Sequence, residues 1–138
     1  MDINCYTDKG GYTPSKAHEA DAGFDLHTPV SVQVAPHSSA RIDTLVHMQI
    51  PHGYVGFLKS KSGLNVNHGI TSEGVIDSGY TGSIVVKLYN NSDMPMDFVV
   101  GDKITQIVIL PIPDVHLVHT NNFETTERGN NGFGSTGR

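Results

Sequence analysis

A single cysteine, Cys5, leaves no partner for an intramolecular disulfide. No apolar run reaches the length of a membrane span, and no charged-then-apolar leader is present. A soluble chain in a reducing compartment, cytoplasmic or nuclear and not secreted, is expected. Without a leader, Asn90-Asn91-Ser92 reads as a polar turn rather than a glycosylation site. Basic charge is also scarce: 9 Lys and Arg against 14 Asp and Glu give a net charge of −5. A general nucleic-acid-binding surface needs the opposite balance, so any phosphate ligand must be met by a local device. Helical periodicity and internal repeats are absent, and 138 residues at 37% hydrophobic suit one core.

What is present is alternation. Even positions carry Val30, Val32 and Val34, then Ile42, Thr44, Val46, Met48 and Ile50, as half-buried strands would, joined by a turn at Pro36-His37-Ser38-Ser39. Further strands are read at residues 54–58, 84–89 and 104–109, with Gly and Pro between them and one short helix at 64–68. The fold class is all-β, a jelly-roll-like sandwich. Residues 1–127 form the domain. Residues 128–138, RGNNGFGSTGR, hold too little apolar surface to order themselves, so a flexible Gly-rich arm is expected.

Several groups of residues invite chemistry. Gly74-Val75-Ile76-Asp77-Ser78-Gly79-Tyr80-Thr81-Gly82 reads as a hairpin whose free backbone groups can address the edge of a planar ring, flanked by Asp77 and Tyr80. As a plain hairpin, Asp77 is only a turn-former. Lys59-Ser60-Lys61-Ser62-Gly63 has the cations, hydroxyls and glycine of an anion site, or of an ordinary basic strand end. Asp21, Asp25 and Asp102 offer oxygen ligands to a hard cation, or cap turns. The arm matches the dinucleotide fingerprint from Gly132 to Gly137, but with only Arg138 after it there is no helix to hold a pyrophosphate. His116 and His119 point to opposite faces of a strand and make no zinc pair.

The order of these stretches carries more than any one of them. Ala22-Gly23-Phe24-Asp25-Leu26, Lys61-Ser62-Gly63-Leu64, the stretch from Gly74 to Gly82, Gly101-Asp102-Lys103-Ile104-Thr105-Gln106-Ile107 and the arm from Arg128 resemble the five motifs of the trimeric dUTP diphosphatase (dUTPase) family, in order and at about its spacing. The resemblance implies hydrolysis of dUTP to dUMP and pyrophosphate, with Asp77 activating the water that attacks the α-phosphorus. It implies Tyr80 beneath the deoxyribose, uracil read by the backbone of Gly74, Val75 and Ile76, and Lys61, Ser62, Gly63 and Gln106 near the phosphates. Phe133 would close over uracil while Arg128, Gly134, Ser135 and Thr136 meet the β- and γ-phosphates. Mg²⁺ would be held mainly by the substrate phosphates, with Asp25 acting through water.

The resemblance further implies a homotrimer with shared sites. Lys61 stands where the family usually carries Arg, which keeps the charge and loses the bidentate fork. Two rivals follow from the same resemblance: a dCTP deaminase relative, which the form of the arm opposes, and a dUTP-controlled regulatory protein acting on a protein partner.

Overall fold

The structure, a computed structural model, describes residues 1–137. Its elements in order are β1 (Cys5–Thr7), β2 (Gly23–His27), β3 (Val32–Val34), β4 (Ser39–Asp43), β5 (Val46–Met48), β6 (Tyr54–Lys59), α1 (Ser62–His68), β7 (Ile70–Ile76), β8 (Val85–Asn90), β9 (Met96–Phe98) and β10 (Lys103–Pro111). Six strands make one sheet in the order β2-β10-β6-β7-β8-β4, and β1-β5 and β3-β9 form two ribbons. All pairings are antiparallel. The fold is all-β and jelly-roll-like, as the alternation in sequence requires. Among the described residues, no helix is long and apolar enough to cross a membrane.

The core follows from that alternation. Ile42, Val46, Met48 and Ile50 are buried, together with Leu26, Leu58, Ile84, Val86, Leu88, Ile104 and Ile107 from the large sheet and its flanks. The even-numbered face from Ile42 to Ile50 is buried throughout, but the strand is not continuous. At Leu45 the backbone turns to φ 61°. The side chains of Asp43 and Thr44 make this break: Asp43 accepts the Leu45 N–H at 2.9 Å, and the Thr44 hydroxyl donates to the Ile84 carbonyl at 2.6 Å. Local side-chain bonds have replaced a rung of the ladder. Val30 is likewise outside its expected strand and exposed, because Thr28 closes a turn on it from both sides.

Two more expectations are corrected. The helix starts at Ser62, two residues early, and ends on Gly69 in the left-handed region. The tight hairpin across Gly74 to Gly82 is an open connection instead. β7 meets β8 only at Ile70, Thr71 and Ser72, while Gly74, Val75 and Ile76 pair with Leu58, Phe57 and Gly56 of β6. The strands diverge because β8 is drawn from Val85 onward to β4. The short polar strands β1 and β9, and β2 with its central Asp25, carried too little alternation to be read.

Candidate active site

The Asp77 turn is built as its sequence suggests. Tyr80 N–H donates to the Asp77 carbonyl at 3.2 Å, and Gly79 between them has φ 83°, the conformation that a type II turn demands at that position. Asp77 is exposed, directly beyond the buried Ile76. Tyr80 is 46% exposed, and its hydroxyl donates to the Ser83 carbonyl at 2.8 Å. The ring lies against Gly82, where an added Cβ would come within 2.7 Å of the ring carbon bearing the hydroxyl. Only a glycine lets the ring lie flat on this loop. Beside it, Gly74, Val75 and Ile76 lack a β8 partner, so one edge of their backbone is free of the sheet.

The second cluster lies at the other end of the sheet. Asp25 on β2 is 5% exposed, and its two carboxylate oxygens are taken by the ammonium groups of Lys61 and Lys103, the latter at 2.9 Å. Burial works to raise its pKa, but the two lysines prevail and hold it below the ordinary aspartate value. Lys103 reaches Asp25 because a register shift between Lys103 and Thr105 bulges β10 against β2. His27, opposite Lys103, has its buried Nδ1 unpartnered, and burial followed by the neighbouring lysines favours the neutral ring over the pull of Asp25.

Next along the row, Gln106 sits against Asp25 on one side and Lys59 on the other. Its amide donates to the Ser60 carbonyl at 3.1 Å, and Gly23 leaves the room its side chain occupies. Three hydroxyls hold the end of β6 where the chain turns into α1. Thr105 donates to the Lys59 carbonyl at 2.9 Å and meets the Ser72 hydroxyl at 2.6 Å, and Ser60 accepts the Ser72 N–H at 3.0 Å. The result fixes Lys61 as N-cap of α1 with no side-chain cap, leaving the N–H groups of Ser62 and Gly63 without intrahelical partners. An added Cβ at Gly63 would meet nothing within 4 Å. The hydroxyl set went unread in the sequence; buried Ser72 on β7 and Thr105 on β10, the two strands that flank β6, were its only signal.

Strand register keeps the two clusters apart within one chain. Ile76 faces Gly56 and Glu73 faces Lys59. Asp77 leaves the β6-β7 pair at one end and Ser62 at the other, so they stand roughly 15 Å or more apart at strand rise. The arm joins neither. Ile112 N–H to the Gly53 carbonyl, at 2.9 Å, ties down the end of β10, and beyond it the hydrogen bonds among the described residues are local. Arg128, Ser135 and Thr136 line one cleft of the arm itself, and Gly134 turns beside them at φ 93°. Phe133 is wholly exposed in a left-handed conformation, φ 41°. Arg138, the last residue of the expected arm, lies outside the described residues.

Of the other carboxylates, Asp21 accepts the His18 N–H and Asp102 the Val99 N–H, so both cap turns. No group of three or more His, Cys, Asp or Glu forms a metal cage among the described residues. Asp25 with its two lysines carries a net positive charge, which repels a bare cation and attracts a polyphosphate. The arrangement suits a magnesium ion that arrives on phosphates and keeps most of its waters.

The buried pairing should be visible in stability. Asp25→Asn is expected to destabilise the protein by about 2 kcal/mol, below the usual loss for a broken buried pair because both lysines can turn to water. The check is the urea midpoint at fixed protein concentration with an unchanged slope. Since the Asp25 pKa is lowered by folding, its contribution is present above the ordinary aspartate value of about 3.9 and lost as pH falls through the lower folded value. Wild type and variant should therefore converge in acid.

The sequence model of the dUTPase family matches residues 11–137. The chain is 40% identical over 129 residues to the deoxyuridine 5'-triphosphate nucleotidohydrolase of Gloeobacter violaceus, covering 90% of this chain and 88% of that one. It is 40% identical over 135 residues to the protein of the same name from Tropheryma whipplei strain Twist, covering 94% and 92%. Among solved structures it is similar to a mutant of the Staphylococcus bacteriophage 80alpha dUTPase with dUpNHpp, at TM-score 0.89, 29% identity and 99% coverage of both chains. A mutant dUTPase of phage phi11 of S. aureus, described with a structural Mg(II) ion, matches at TM-score 0.82 and 27% identity, covering 91% and 100%.

Proposed function

The chain belongs to the dUTPase family, whose curated members are dUTP nucleotidohydrolases, and from that premise we propose how its own residues cut dUTP into dUMP and pyrophosphate. The observation that carries the reading is the pairing of an exposed carboxylate on a hydrogen-bonded turn with a separate cationic, N–H-rich end of the sheet. Asp77 takes a proton from a water molecule, and the resulting hydroxide attacks the α-phosphorus. The bond from that phosphorus to the bridging oxygen of the β-phosphate breaks, and pyrophosphate leaves with the electron pair. Asp77 then returns its proton to solvent.

Displacement at phosphorus depends on positioning and charge neutralisation more than on covalent help. Ser62, the free N–H groups of Ser62 and Gly63, and Gln106 orient the phosphates, while Lys61 adds its charge from a position set by Asp25. Mg²⁺ arriving on the phosphates would neutralise their charge, and Asp25 would face it through water once Lys61 or Lys103 turns from its carboxylate to the phosphates. The free backbone edge of Gly74, Val75 and Ile76 reads uracil, and Tyr80 lies under the deoxyribose where a 2′-hydroxyl would collide. Arg128, Phe133, Gly134, Ser135 and Thr136 close over the bound nucleotide as a mobile arm.

Because Asp77 and Ser62 leave opposite ends of one strand pair, a complete site takes its base and its phosphate end from different copies of the chain. The closed homotrimer of the family supplies that arrangement.

The direct test is a substrate panel with pyrophosphate detection. With Mg²⁺ present, dUTP should be hydrolysed while UTP and dCTP turn over at on the order of a hundredth of its rate or less, since cytosine leaves backbone polar groups unpaired. Comparable turnover of UTP or dCTP rejects the assignment of Tyr80 and the β7 edge.

A further inference from the structure

The loop bearing Asp77 and Tyr80 is suspended from the kink between β4 and β5. On one side of Leu45, Asp43 accepts a hydrogen bond from the Ser83 hydroxyl as well as the Leu45 N–H. On the other side is His47, its side chain 13% exposed and its ring stacked on Tyr6 at 4.4 Å and 6°. Its Nδ1 lies 2.8 Å from the Thr81 carbonyl, and its Nε2 lies 2.8 Å from Oδ2 of Asp8. Both partners are acceptors only. A neutral imidazole has one N–H and can satisfy one of them; the imidazolium satisfies both.

We propose that His47, as an imidazolium, is a positioning residue for the loop at 77–83: its two N–H groups tie Thr81 to Asp8, and loss of the ring proton breaks that tie and loosens the loop. The proposal rests on the catalytic reading of Asp77 and Tyr80 and adds a control to it. The surroundings favour the charged ring. The Thr81 carbonyl and then Asp8 raise the His47 pKa above its ordinary value, with Asp43 on β4 assisting against partial burial. The other titratable groups around the ring are Tyr6, stacked on it from β1, and Cys5 across the same small cleft. The clamp is therefore complete below the ordinary histidine pKa and opens as pH rises through the raised one.

The experiment measures kcat and KM for Mg-dUTP from about pH 6 to about pH 9 on the full wild-type chain, His47→Gln and Asp8→Asn. Relative to His47→Gln, wild-type kcat/KM should fall by about tenfold across the histidine titration, the order expected from a small misplacement of the Tyr80 and Asp77 turn. The glutamine variant should start low and lack that limb, and Asp8→Asn should move the limb to lower pH. Substrate-free NMR supplies a second readout: the His47 ring should titrate with both nitrogens protonated at low pH, and amide exchange at residues 78–83 should quicken as that proton leaves. Coupled exchange without dUTP hydrolysis would sink the catalytic reading and leave the clamp standing. Superimposable wild-type and His47→Gln profiles, or exchange that ignores the ring, overturn the clamp. Should His47→Gln not fold, the Asp8→Asn profile and the wild-type titration decide in the same way.

Discussion

Replacing Asp77 with Asn should lower kcat by about 10² to 10⁴, the usual worth of a general base, while leaving the fold and nucleotide affinity close to wild type. The structure makes this substitution unusually clean. The Tyr80 N–H bonds to the Asp77 main-chain carbonyl, not to its side chain, so the turn survives the change. Gly79, which needs its positive φ, is untouched. The side chain is exposed and has no hydrogen bond or ion pair within the chain among the described residues, so no internal partner is stranded by the amide. Single-turnover rates with circular dichroism and a dUTP-analogue titration make the check. A variant with near-normal kcat returns Asp77 to the role of a turn-former.

How far the sequence reveals this site depends on the range of each interaction. The Asp77-Ser78-Gly79 turn was legible because its cause is local: an aspartate that begins turns and a glycine that tolerates φ 83°. The face from Ile42 to Ile50 was legible because alternation survives the break at Leu45. The break itself was not, since one of the two bonds that make it joins Thr44 to the Ile84 carbonyl, which comes from far along the chain just before β8. The same holds for Asp25. Its two lysines lie far away in sequence, and one reaches it only through a bulge whose presence no composition rule announces. The family resemblance assigned Asp25 to magnesium, whereas its contacts within the chain place Lys61 and Lys103 on it first. The separation of Asp77 from Ser62 was equally hidden, because the order of motifs along a chain says nothing about which end of a strand each one leaves.

That separation, together with an arm whose hydrogen bonds stay local, sets up the strongest test of the assembly. A chain cut before Arg128 keeps Asp77 but lacks the closing arm, and should lose activity by about 10³ or more if Arg128 acts on the transition-state charge as an arginine finger does. The Asp77→Asn chain keeps its arm and lacks the base. Each alone should be almost inactive. When the two are co-expressed and assemble without bias into closed trimers, roughly a quarter of the sites draw the base from a truncated chain and the arm from an Asp77→Asn chain, and activity should return to about that fraction. An arm serving the Asp77 of its own chain cannot produce this result, since no single chain in the mixture carries both parts. Purified hybrids no more active than their parents therefore reject exchange of the arm between copies, even where wild-type dUTP hydrolysis is intact. Hybrids that do recover activity require the base and the arm to act from different chains, as proposed for the base and the phosphate end, which the β6-β7 register sets apart within one chain.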